Sequence, residues 1–333
     1  MGPNPNRPIT KGLTVTQTHS ERTAAKSAFA NKTVGNPAGD KVFSASALIA
    51  GVIILAVLAF VAAYLVVESL PALFAGEGEL TGGKSNFFEY VWPLMGGTLI
   101  ASTIALLLAT PVAVGVALFI SHFAPARFAA PIGYVIDLLA AIPSVVYGAW
   151  GMAVLGPAVV PIYQWLENNA GFLPFFKDAS ATGRTLLTAS VVLAVMILPI
   201  ITSMCREIFV QTPKLHEEAA LALGATRWEM IRMAVLPFAR SGIVSAIMLG
   251  LGRALGETMA VTLVLSPGLF TWNIIGAGNQ TIPSEIALNF PEAFGMRANE
   301  LIAAGLILFI ITLVVNMIAR WIVSRHKEFS GAN

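Results

Sequence analysis

Apolar residues in this chain come in long blocks with few charges, broken by short polar stretches, and not in the strict alternation of a half-buried sheet. The first block, VFSASALIAGVIILAVLAFVAAYLVV (42–67), contains no charged residue. About 20 apolar residues carry a helix across the hydrocarbon layer, so this block predicts a membrane span. Five more follow, at 91–121, 131–155, 185–204, 239–265 and 301–321. The second contains Pro111 and is too long for one upright helix yet too short for two, which predicts a single tilted or kinked span. The pattern therefore predicts an all-α integral membrane protein with six transmembrane helices over 42–323. Residues 1–41, with NPNRP and VGNPAG, lack any periodicity that would pack and predict a flexible arm. Residues 324–333 form a short polar tail. The first apolar block is too long for the core of a cleavable signal peptide.

Composition sharpens this picture. Only 11% of the 333 residues are Asp, Glu, Lys or Arg, whereas soluble proteins carry about 25%. With the amino terminus inside, the segments 1–41, 122–130, 205–240 and 320–333 hold 15 Lys and Arg, against 4 in 68–90, 156–184 and 266–300. That asymmetry predicts a multi-pass protein of the bacterial inner membrane with both termini cytoplasmic. The net charge of +2 with no basic tract gives no reason to expect nucleic acid, and the lone Cys205 excludes an internal disulfide. His19, His122, His216 and His326 are widely separated, so neither a metal nor another cofactor is expected. The chain has no nucleophile–base constellation, and so reads as a non-enzyme.

One polar segment has local structure of its own. In CREIFVQTPKLHEEAALALGATRWEMIRMAVLP (205–237), Thr212 can cap a helix whose first position is Pro213. Leu215, Ala219 and Leu223 then recur at four-residue spacing, and Gly224 suits a left-handed stop. Thr226 and Glu229 form a T-x-x-E box that opens a second helix, running to Leu236-Pro237. The first helix is too short to stand alone in water. It either plugs the inner end of the bundle or docks a partner. The stretch EEAALALGATRWEMIRMAVLP resembles the coupling loop of permease subunits in ATP-binding-cassette importers, with Glu218, Ala219, Ala220, Gly224, Leu236 and Pro237 on the family's pattern. That resemblance implies a type I importer permease fold and a hairpin that inserts into a cytoplasmic ATPase.

The fifth block holds a second unusual feature, in LGLGRALGETMAV. An arginine near the middle of a span costs at least ~2.5 kcal/mol unless it faces protein or water. Glu257 lies four residues after Arg253, one turn along on the same face of a continuous helix. Two readings stand. The pair ties the fifth helix to its neighbours, or Arg253 is an anion station whose guanidinium fork is posed by Glu257. Gly252 with Gly256, and Ser241 with Ser245, make small-xxx-small spacings that allow close helix approach. Asp137, at the start of the third span, serves as an anchor or takes part in gating. Pro143 in IPSVV breaks the helical pattern, so Ser144 and Tyr147 can line a cavity wall. A short interfacial helix is expected in TIPSEIALNF (281–290).

DLLAAIPSVVYGAWG (137–151), GLGRALGETMAVTLVL from 250, TIPSEIALNFPEA (281–293) and ESLPALF (68–74) extend the likeness over about 42–323. Together they resemble the larger permease subunit of the phosphate-specific importer. The resemblance implies passage of inorganic phosphate at Arg253 and Glu257, a sibling permease, two ATP-binding subunits and an extracytoplasmic phosphate-binding protein. Permeases for sulfate, molybdate or a phosphonate are the nearest alternative. A proton-coupled carrier using Glu257, or a membrane scaffold, is more distant.

Overall fold

A computed structural model describes residues 37–268 and 271–324. The chain divides into two units, Met1–Val61 and Ala62–Asn333. Of the first unit, what is described is the opening of α1 (Pro37–Leu73), so the last residues of the predicted arm are already helical. The remaining arm and the tail beyond 324 lie outside the described residues. The second unit continues with α2 (Phe87–Phe123), α3 (Ala126–Ala140), α4 (Ser144–Ala170), α5 (Leu186–Val210), α6 (Lys214–Ala222), α7 (Arg227–Leu255), α8 (Met259–Val264), α9 (Ile282–Asn289) and α10 (Met296–Ser324). Among the described residues all regular structure is helical. Six helices, α1, α2, α4, α5, α7 and α10, are long and apolar enough to cross a membrane.

The core of the second unit is α5 set against α2. Leu186, Leu193, Ile197, Ile201, Cys205 and Phe209 of α5 are all essentially inaccessible. Facing them, α2 presents Ala101, Ala105, Ala109, Ala113 and Ala117, one per turn and all buried. Methyl-sized side chains at four-residue spacing let two helices approach closely, which is how membrane helices gain packing contacts without a hydrophobic driving force. α7 lies against α5 by the same device: a Cβ on Gly242 or Gly250 would meet Ile208 or Ile201 within 2.7 Å.

Three expectations need correction. The third span does not run over 131–155. Pro143 lacks an N–H and disfavours helix at the residue before it, so the block splits into α3 and α4. The helix of membrane length is α4, which continues through Pro157, Pro161 and the polar WLENN. A π-helical turn at Gly151–Leu155 carries it into this proline-rich half. Second, Leu236-Pro237 does not end the second loop helix. The π-helical turn Ile231–Val235 puts Pro237 in the first turn of the next segment, where its missing N–H costs nothing, and α7 runs unbroken from Arg227 to Leu255. Third, the 281–290 helix is tucked in and not interfacial. Ile282, Pro283, Ser284 and Glu285 are buried, and Ile282 N–H donates to Thr98 Oγ1 at 2.9 Å. Thr98 is 11 residues along α2, about 16 Å from its start. Gly97 makes room for this, since a Cβ there would collide with the Gln280 carbonyl.

Candidate functional site

The helix expected to carry Arg253 and Glu257 on one face stops between them. α7 ends at Leu255, Gly256 turns the chain at φ −96° and ψ 2°, and α8 begins at Met259. Glu257 is not one helical turn above Arg253, and no ion pair joins them. Instead, the Glu257 carboxylate, 7% exposed, accepts the Ala260 N–H at 3.2 Å and so caps α8. Arg253 lies in the last turn of α7 with its side chain exposed. The break improves the electrostatics of both residues. In one continuous helix, Arg before Glu opposes the macrodipole. In two half-helices, the cation sits at a carboxyl end and the carboxylate at an amino end, where each is favoured.

The depth of the break follows from its neighbours. Gly250 packs on Ile197 and Ile201, the middle of α5, so Arg253 lies about 4–5 Å beyond the midpoint of that span. α8 has only six residues, too few to hold itself. Glu257 caps one end, and Arg184 Nη2 donates to the Leu265 carbonyl at the other, at 2.7 Å. Between them Gly148 admits the backbone of Ala260, whose Cα would lie 2.7 Å from a Cβ at 148. The Gly252–Gly256 pair does not make the expected close approach: Gly252 faces open space and a Cβ at Gly256 would near only the Gly252 carbonyl, whereas it is Gly250 that meets the neighbouring helix.

Of the other predicted residues, Tyr147 is buried on α4, donates to the Leu139 carbonyl at 2.8 Å, and lies within electrostatic reach of Arg253. Ser144 opens α4, half-buried, one turn before Tyr147. Asp137 is on α3, exposed, with Oδ2 3.7 Å from Arg206 Nη2 of α5. Gly133 allows this approach, because a Cβ there would strike the Arg206 guanidinium.

Two features escaped the sequence reading. Arg184 was counted as a loop base, and its Nε is buried with no partner. The second is a buried ionic cluster. Arg297 on α10 binds Glu285 of α9 through Nη2 and Glu300 through Nη1 at 2.8 Å. Tyr90 OH donates to Glu285 at 3.3 Å, and the Thr81 N–H donates to Glu300, which is wholly buried. One guanidinium thus joins α2, α9, α10 and the 76–86 loop. The i,i+3 spacing of Arg297 and Glu300 was visible in sequence; the arrival of Glu285 from the inserted helix was not.

At the other end of the bundle, α6 and the start of α7 form the expected hairpin. Gly224 has φ +86°, a conformation that suits glycine. The Thr226–Glu229 capping box is complete, with Thr226 N–H to Glu229 Oε2 at 2.8 Å and Glu229 N–H to Thr226 Oγ1 at 3.3 Å. Thr212, however, does not cap α6. Pro213 occupies the cap position, and the Thr212 hydroxyl is buried without a partner. No residue of α6 is buried; Leu215 is 74% and Leu223 90% exposed, and Glu218 and Ala219 are exposed beside them. Ala220, half-buried, packs toward the core.

Residues 109–328, from the middle of α2 onward, match the family described as binding-protein-dependent transport system inner membrane component. The chain belongs to this family. Among curated members of such transport systems, it is 44% identical over 297 residues to phosphate transport system permease protein PstC 2 of Mycobacterium tuberculosis, covering 85% of this chain and 91% of that one. It is 43% identical to PstC of Mycobacterium leprae, with 78% and 85% covered, and 40% identical to PstC of Haemophilus influenzae, with 71% and 76% covered. Two solved structures share the fold. One is an inward-facing MetNI methionine ABC transporter (TM-score 0.51, 20% identity, 72% of this chain and 96% of that one). The other is a bacterial ABC transporter that imports alginate (TM-score 0.50, 19% identity, 86% and 98%). A permease of this family carries a transport role and not a catalytic one.

Proposed function

We infer that this chain is the membrane-spanning permease subunit of an ATP-driven importer of inorganic phosphate. The observation that carries the reading is its 44% identity, over most of both chains, to a phosphate transport system permease. The broken helix supports it physically. A cation held at mid-span on a helix end, exposed and with Tyr147 within electrostatic reach, suits transient compensation of an oxyanion. Arg253 is the anion-facing group, Glu257 fixes the turn that presents it, and Ser144 and Tyr147 border the path. Asp137, paired with Arg206, fits the anchoring role better than the gating one.

The path lies between this subunit and a sibling permease, with both termini in the cytoplasm of a bacterial cell. Two cytoplasmic ATPases supply the energy, and an extracytoplasmic phosphate-binding protein supplies the ion. The hairpin docks the ATPase through α6, whose apolar face of Leu215, Ala219 and Leu223 has no cover among the described residues; Glu218, Ala220 and Gly224 complete the docking motif. ATP-driven closure of the ATPases pulls on this hairpin and favours the outward-open state. Binding at Arg253 must stay modest, because a tight central site traps the ion.

The test uses membrane vesicles holding the complete complex. Arg253→Ala should lower labelled phosphate uptake about tenfold or more, the factor carried by ~1.4 kcal/mol. Arg253→Lys should retain part of it, as a point charge without the fork. Normal uptake by the alanine variant would sink the conduction role. Sulfate uptake in place of phosphate would reassign the substrate. Separately, Ala219→Glu should release the ATPase subunits during purification while the chain still inserts.

A further inference from the structure

We propose that the contact between His122 and Glu217 positions the coupling helix against the second membrane helix and transmits its movement there; this rests on the importer reading above. The chain itself joins α6 to α5, through Thr212-Pro213, and to α7, through Gly224. It gives α6 no link to α2, the helix whose alanine face packs on α5 at the heart of the bundle.

That link is made by side chains. His122 lies in the π-helical turn that closes α2, Phe119–Phe123. Its Nε2 is 3.6 Å from Glu217 Oε1 on α6, with both side chains largely withdrawn from solvent. The imidazole is held from two sides. Nδ1 is 2.7 Å from Ser121 Oγ, which also lies 2.8 Å from the Ala117 carbonyl. The ring also meets Phe209 of α5 edge-on, centroids 6.4 Å apart. A ring fixed in this way aims Nε2 at Glu217.

The surroundings show why this contact matters mechanically. No residue of α6 is buried, and Ala220 is the part of it that packs toward the core, so the helix is only lightly seated on the bundle. Cavities of about 250 and 270 Å³ flank the contact, one reaching Thr212, Lys214 and Glu218, the other Phe123, Arg227 and Met230. The charged groups around the pair are therefore Lys214 and Glu218 from α6 and Arg227 from α7, and none of the three forms an ion pair among the described residues. α6 meets α2 across a polar bridge with space on either side. A packed interface would resist tilting of α6, whereas a bridge lets it tilt and pulls the end of α2 along.

The experiment reconstitutes the whole transporter, with ATPases and binding protein, in liposomes and reads phosphate moved per ATP hydrolysed. His122→Ala and Glu217→Gln should each lower that ratio at least about fivefold, the low end of coupling between sites, with ATPase subunits still co-purifying. The reversed pair H122E/E217K should recover most of the ratio lost in either single reversal. Normal coupling in both single variants overturns the proposal. So does a reversed pair no better than its singles in assembled complexes. Loss of ATPase association from Glu217→Gln, with normal coupling in His122→Ala, places Glu217 in the ATPase contact and also overturns it. Failure of the importer reading would look different, because the unaltered complex would then move no phosphate.

Discussion

Two of the glycines at which helices stop, Gly224 in the loop and Gly256 in the bundle, work by different physics. At Gly224 the backbone is left-handed, with φ +86°, and the next helix opens two residues on with its own reciprocal cap. Every group needed lies within six residues. At Gly256 the backbone has an ordinary φ of −96°, and the chain alone gives little reason to stop. This second stop is held mainly from outside, by Gly148 beneath Ala260 and by Arg184 on the Leu265 carbonyl, with the Glu257 cap as its local support. On the reading proposed above, a hairpin that meets another protein carries its own shape, and a break that presents a charge at mid-span borrows most of its shape from two distant segments.

If this contrast is right, the largest effect should come from disturbing those neighbours. Gly148→Val would drive a branched side chain into the backbone of Ala260 and the Leu263 methyl. Overpacking of this kind costs about 1–3 kcal/mol, and here it would also displace α8. The expected result is a lowered unfolding temperature in detergent together with lost uptake, because the Arg253 presentation shifts with α8. Uptake at the normal level in a folded Gly148→Val subunit would show that α8 can move without consequence. Next in size is Gly224→Ala, which forces a Cβ into the left-handed region at about 1–2 kcal/mol. No atom lies within 4 Å of that Cβ, so the cost is conformational alone. Transport should suffer through the hairpin, with Arg253 undisturbed: ATPase association weakens while the subunit's own unfolding temperature changes little. Thr226→Ala follows, removing one half of the capping box at about 1 kcal/mol. Thr226→Ser keeps the hydroxyl and should restore association, and its failure to do so would detach the cap from the docking function.

The same contrast explains what the sequence disclosed. Six spans, the hairpin, Gly224 and the Thr226 box were legible because each depends on residues a few positions apart. The 131–155 block misled because apolar length outvoted Pro143, and because WLENN is polar although α4 continues through it. Glu257 was assigned to Arg253 because i,i+4 spacing is the rule inside a helix. The competing sign was present: a carboxylate directly after a glycine, two residues before an apolar run, also fits a helix start. Choosing between them needed the contacts of Gly148 and Arg184, from segments about 70 to 110 residues away in the chain. The Glu285–Arg297–Glu300 cluster was hidden for a related reason, since no periodicity announces that a loop helix turns inward.

The smallest expected effect is also the sharpest test of the comparison. By position in the structure, Gly256 looks as indispensable as Gly224, for each follows the last turn of a helix. By geometry it is replaceable. Alanine tolerates φ −96°, and a Cβ there would approach only the Gly252 carbonyl, at 3.7 Å. Gly256→Ala should therefore change stability by no more than about 0.5 kcal/mol and leave phosphate uptake in place. Alanine does favour helix over glycine by about 1 kcal/mol, which biases the segment toward running on through 256 and stacking Glu257 one turn above Arg253. Holding the break against that bias is the work of Gly148, Arg184 and the Ala260 cap. Unchanged uptake means that those three contacts outweigh the local preference. Lost uptake with an unchanged unfolding temperature would mean that the glycine itself is needed, as a joint that must bend during the cycle.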